Sequence, residues 1–63
     1  MPVIRIEMYE GRTVAQKRAC AEAVTKAFID TCGGTPAAVT IIFCDVSKGD
    51  WASAGRLASD PGP

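Results

Sequence analysis

Apolar and polar residues alternate at the start of the chain. In Val3-Ile4-Arg5-Ile6-Glu7-Met8-Tyr9, Ile4, Ile6 and Met8 fall on one side and Arg5, Glu7 and Tyr9 on the other. A period of two is that of a β-strand with one covered face. Glu10-Gly11-Arg12 breaks the alternation, with glycine permitting the turn. Thr13-Val14-Ala15-Gln16 then has the spacing of a capping box, in which a threonine caps the first helical turn and a glutamine three residues on reaches back. A helix is predicted from Val14 to about Thr31, with Cys20, Val24, Ala27 and Phe28 as its covered stripe. Gly33-Gly34 ends it. Thr35-Pro36 opens a short turn. Residues 39–46, rich in β-branched side chains and nearly all apolar, read as a second strand covered on both faces, as in a parallel pair. Strand, helix and strand make one βαβ unit. Ser47-Lys48-Gly49-Asp50 is turn chemistry, Trp51 to Leu57 reads as a small hairpin, and residues 58–63 as a frayed tail of the single domain 1–63.

Size gives this pattern a consequence. A chain of 63 residues buries only about 60% of the surface its unfolded form exposes. Disulfides, a metal or oligomerisation normally make up the deficit. The three cysteines, Cys20, Cys32 and Cys44, are an odd set spaced twelve apart, and there is no histidine, so neither a disulfide framework nor a zinc site is expected. No other cofactor is called for. Oligomerisation is what remains, since one helix leaves a face of a two-stranded sheet open. Seven basic residues balance seven acidic ones without a run of either sign, which argues against nucleic-acid or anionic-membrane partners. Neither a signal peptide nor a membrane span is read, and the expected compartment is the reducing cytoplasm.

The arrangement resembles the 4-oxalocrotonate tautomerase family of small βαβ subunits. The matching residues are Met1-Pro2 before a strand, Glu10-Gly11-Arg12 before a capped helix, Lys48-Gly49-Asp50-Trp51, and Gly55-Arg56-Leu57-Ala58-Ser59. The resemblance spans almost the whole chain. It implies an isomerase that interconverts enol and keto forms of a small 2-oxo acid, such as 2-hydroxymuconate, without a cofactor. It also implies a hexamer whose sites are built between neighbouring subunits. By this likeness Pro2, exposed once Met1 is removed, is the general acid/base, Arg12 binds a substrate carboxylate and Trp51 lines the pocket.

The residue types suit those roles. A general base works best with a pKa near the operating pH. A proline amine would be brought toward it by an apolar wall such as Trp51 and by a neighbouring cation such as Arg12. The guanidinium is a planar fork of donors matched to a carboxylate. The family's best-known members carry a second arginine early in the second strand, where this chain has Thr40, whose hydroxyl brings no charge. Three readings stay open: a monoacid substrate, a heterohexamer in which a homologous subunit supplies the missing arginine, or Arg56 reaching the site. Asp45 and Asp50 are candidates, by residue type alone, for activating water in a related hydration reaction. Free cysteine is read as packing. A non-catalytic assembly subunit would share every feature of the core.

Overall fold

The computed structural model describes residues 2–62. The expected removal of Met1, and the last residue of the expected tail, Pro63, lie outside the described residues. The chain is an α/β fold of one βαβ unit followed by a short hairpin, as its pattern predicts. Strand β1 (Val3–Tyr9) leads into helix α1 (Val14–Cys32), a 3-10 turn (Pro36–Ala38) and strand β2 (Thr40–Val46). A second 3-10 turn (Lys48–Asp50) precedes strands β3 (Ala52–Ser53) and β4 (Arg56–Leu57). β1 and β2 are parallel, in register from Val3 opposite Thr40 to Tyr9 opposite Val46. β3 and β4 pair antiparallel.

Local chemistry sets each boundary. The capping box is complete: Gln16 N–H donates to Thr13 Oγ1 at 3.1 Å, and Thr13 N–H donates to Gln16 Oε1 at 2.9 Å. At the other end Gly33, at φ +84°, turns the chain while its N–H donates to the Ile29 carbonyl at 2.9 Å. That left-handed conformation is easy only for glycine.

The covered side of α1 differs from the stripe predicted. Lys17, Ala21, Val24 and Phe28 are half-buried, together with Thr25 and Ile29, whereas Cys20 and Ala27 are exposed. Lys17 belongs to the covered side: it borders a cavity with Met8 and Phe43, and its Nζ reaches Asp45 Oδ2 at 2.5 Å. With side chains 25% and 39% exposed, that pair contributes at most about 1 kcal/mol, but it fixes the helix over the end of β2.

Beneath the helix, Ile4, Ile6, Ile41 and Phe43 are half-buried on the inner sheet face. The outer face is open toward its first end, where Val3 is 63% and Ile42 38% exposed, and half-covered at Tyr9, Cys44 and Val46. Among the described residues no side chain is fully buried. The radius of gyration is 15.1 Å, against about 11 Å for a compact domain of this length. A single copy thus has an apolar inner layer but no closed core.

The tail differs from the frayed end read in the sequence. Ala58 N–H donates to the Trp51 carbonyl at 2.7 Å, Ser59 N–H to the Lys48 carbonyl at 3.2 Å, and Arg56 Nη2 to the Pro61 carbonyl at 2.6 Å. These bonds fold the end of the chain back along the turn that carries Lys48 and Trp51.

Replacing Thr13 with alanine removes one side of the capping box. It is expected to lower the unfolding free energy by about 1 kcal/mol. Denaturant titration at fixed protein concentration tests this, and Thr13→Ser should leave the midpoint nearly unchanged.

Candidate active site

The four residues singled out in the sequence fall into two groups. Pro2 is half-buried just ahead of β1, and its carbonyl accepts from Thr40 N–H at 3.0 Å. Parallel pairing therefore sets Thr40 beside Pro2 at the first end of the sheet, on the outer face with Val3 and Ile42.

Arg12 and Trp51 sit at the opposite end. Arg12 follows β1, and its Nη1 approaches the Tyr9 carbonyl at 3.5 Å. Glu10 N–H donates to the Val46 carbonyl at 3.0 Å, which holds the turn before Arg12 against the end of β2. Trp51, half-buried, lies against the Tyr9 ring with centroids 4.7 Å apart and planes inclined at 59°. The tail bond to its carbonyl anchors Trp51 from the other side.

Between the two groups runs the whole of β1. β1 alone, seven residues at about 3.3 Å each, spans about 23 Å, with Pro2 before its first residue and Arg12 beyond its last. No motion short of unfolding the strand brings them together within one chain. The candidate residues thus form two separate groups in one copy, Pro2 with Thr40 and Arg12 with Trp51.

Tyr9 and Lys48 also belong to the second group, and residue-type reasoning assigned neither a role there. Lys48 Nζ stands 5.6 Å from the centre of the Tyr9 ring, within cation–π range. A tyrosine at the polar phase of a strand ending beside a candidate arginine was the available signal for the first. Only the tertiary contact identifies the second.

The remaining candidates lie elsewhere. Arg56 is held by the Pro61 carbonyl, and Asp45 is paired with Lys17 on the helix side. Asp50 accepts from Ser47 Oγ at 2.9 Å. Cys44 is half-buried and its Sγ meets Arg5 Nη1 at 3.2 Å on the outer sheet face. Arg12 also borders a cavity of about 180 Å³ between α1 and the sheet, with Met8, Gln16, Lys17, Cys20 and Phe43. A larger hollow of about 670 Å³ on the flank of α1, near Ile29 and Pro36, contains none of these site residues. No helix among the described residues is long and apolar enough to cross a membrane.

Residues 2–60 match the family model described as "Tautomerase enzyme". The chain belongs to the tautomerase family. The 2-hydroxymuconate tautomerase of Comamonas testosteroni is 40% identical over 62 residues, which cover 98% of each chain. The crystal structure of YwhB, a homologue of 4-oxalocrotonate tautomerase, superposes with a TM-score of 0.91 at 34% identity, covering 97% of this chain and all of that one. A structure from work on the 4-oxalocrotonate tautomerase isozymes of Methylibium petroleiphilum gives a TM-score of 0.88 at 34% identity, covering 92% and 91%. The protein is accordingly an isomerase of the 4-oxalocrotonate tautomerase type, and its fold is the tautomerase βαβ fold.

Proposed function

We propose that the chain ketonises a small enol of a 2-oxo acid, with Pro2 as general acid/base, at sites formed between copies of itself. The observation that carries the reading is the separation of the half-sites. A base without a carboxylate anchor lies at one end of β1, and an arginine and tryptophan without a base lie at the other. Two copies in opposed orientation satisfy both ends. The open part of the outer sheet face and the lack of a closed core in one chain support such assembly.

In this reading Met1 is removed and the Pro2 nitrogen carries a free electron pair. Arg12 of a neighbouring copy holds the substrate carboxylate, and Trp51 of that copy shields the reacting carbons from water. The nitrogen accepts the enol hydroxyl proton as the oxygen becomes a ketone and the double bond shifts. The same proton is then delivered to the terminal carbon of the shifted bond. Substrate and product have the same atoms, the amine is regenerated, and no cofactor is consumed. Thr40, bonded through its backbone to Pro2, contributes a neutral hydroxyl beside the base.

Every copy offers both halves, so six identical chains form complete sites without an unlike partner. The alternative is a heterohexamer with a homologous subunit, in which Thr40 makes this chain catalytically incomplete on its own. The purified chain, assayed alone and with such a homologue, separates the two.

Pro2→Ala is expected to lower kcat by about two to four orders of magnitude while the assembled mass is retained. Arg12→Ala is expected to act mainly on KM, raising it about ten- to a hundredfold. Unaltered turnover in the proline variant would refute the mechanism. Pro2→Ala and Arg12→Ala chains, unfolded together, refolded and assayed at substrate well below KM, where each alone is impaired, should regain about a quarter of wild-type activity, because random mixing in a symmetric assembly reunites two intact halves at that frequency. No recovery would mean that both residues act within one copy.

A further inference from the structure

Two cations flank one aromatic pair at the second half-site. The Arg12 guanidinium lies at the Tyr9 carbonyl, and the Lys48 ammonium lies over the Tyr9 ring. The ring itself leans on Trp51 at 4.7 Å. Both cations are solvent-exposed, and the ion pairs among the described residues are Lys17–Asp45 and Lys26–Asp30, so neither Arg12 nor Lys48 has a carboxylate partner. Lys17, by contrast, is paired with Asp45. A half-buried aromatic pair with two exposed cations beside it, neither paired with a carboxylate, is complementary to a flat organic anion. Its π-system would lie along the wall and its charge at the cations.

The first half-site narrows the choice. Thr40 N–H bonds the Pro2 carbonyl, Val3, Thr40 and Ile42 lie on the outer face at that end of the sheet, and the next cation along that face, Arg5, is bonded to Cys44 Sγ at 3.2 Å. In the proposed assembled site the cations at that end are the neighbouring copy's Arg12 and Lys48, which the first carboxylate occupies, so a second carboxylate would have no cation of its own. We infer that Tyr9 and Lys48 are substrate-recognition residues. Lys48 shares the carboxylate with Arg12, and Tyr9 with Trp51 selects an aryl-substituted enol monoacid over an open-chain diacid. Tyr9 is thus the specificity-determining residue. The inference rests on the proposed tautomerase reading for its substrate type, but the recognition it describes is measurable without turnover.

Trp51 is the sole tryptophan, so its fluorescence reports on the wall directly. Titration of the wild-type assembly with trans-cinnamate, a flat aryl monoacid that carries no enol, should quench the emission saturably, and trans,trans-muconate should bind more weakly. Tyr9→Leu should weaken cinnamate binding roughly three- to tenfold, in line with the strength of an aromatic pair, and shift muconate less than twofold. Tyr9→Phe should bind cinnamate as the wild type does, and Lys48→Gln should weaken both ligands several-fold. In turnover, Tyr9→Leu should lower kcat/KM for phenylenolpyruvate by the same factor with little change for 2-hydroxymuconate. Absence of saturable quenching by cinnamate, or equal losses for both acids in Tyr9→Leu, overturns the inference. Loss of all turnover in Pro2→Ala with cinnamate binding intact separates the base from the recognition wall. Cinnamate binding in a wild-type chain that turns over neither enol would remove the tautomerase reading and leave the recognition residues standing.

Discussion

Parallel pairing of β1 with β2 is the constraint from which the rest follows. A parallel pair needs a long crossover, so a helix must lie over one face of the sheet, leaving the other open except where Trp51 packs on Tyr9. The same pairing aligns Val3 with Thr40 and Tyr9 with Val46, which sorts the chemistry of the chain by end. Pro2 and the neutral hydroxyl of Thr40 collect at one end, and the guanidinium and the aromatic rings at the other. Neither set is a complete site. The open face and the divided chemistry are two results of one topology, and in the proposed reading both are answered by adding further copies of the chain.

Much of this was legible in the residues. Strict alternation in β1, the threonine–glutamine spacing at the head of α1 and the glycine pair at its foot each have a direct physical cause, and each boundary falls within a residue of where that cause puts it. The orientation of α1 was less legible. Ranking residues by polarity favours Cys20 and Ala27 over Lys17, yet Lys17 turns inward because its stem is apolar and Asp45 waits at the end of β2. Small side chains such as alanine mark a helix without saying which way it faces.

The candidate site divides in the same manner. Pro2, Arg12, Trp51 and Thr40 could be named from residue type, spacing and family likeness. Their distribution over the two ends of a strand follows simply from counting residues. The contact between Tyr9 and Trp51 could not be read, since 42 positions separate them and only the folded-back tail brings the second ring to the first. Lys48 was hidden for a related reason. In a glycine-containing turn a lysine looks like solvent-facing punctuation until the neighbouring ring is known.

The seven-residue span of β1 acts as a ruler between the two kinds of half-site. Removing one residue from it would shorten the gauge by about 3.3 Å and turn every later side chain to the opposite face, sending Tyr9 under the helix. Removing two would restore the faces but shorten the gauge by about twice as much. Insertions and deletions are therefore tolerable in the turns around Gly34 and Gly55 and ruinous inside the strand, even at positions that touch no substrate. Selection on catalysis thus acts on the length of an element as well as on the identity of its side chains.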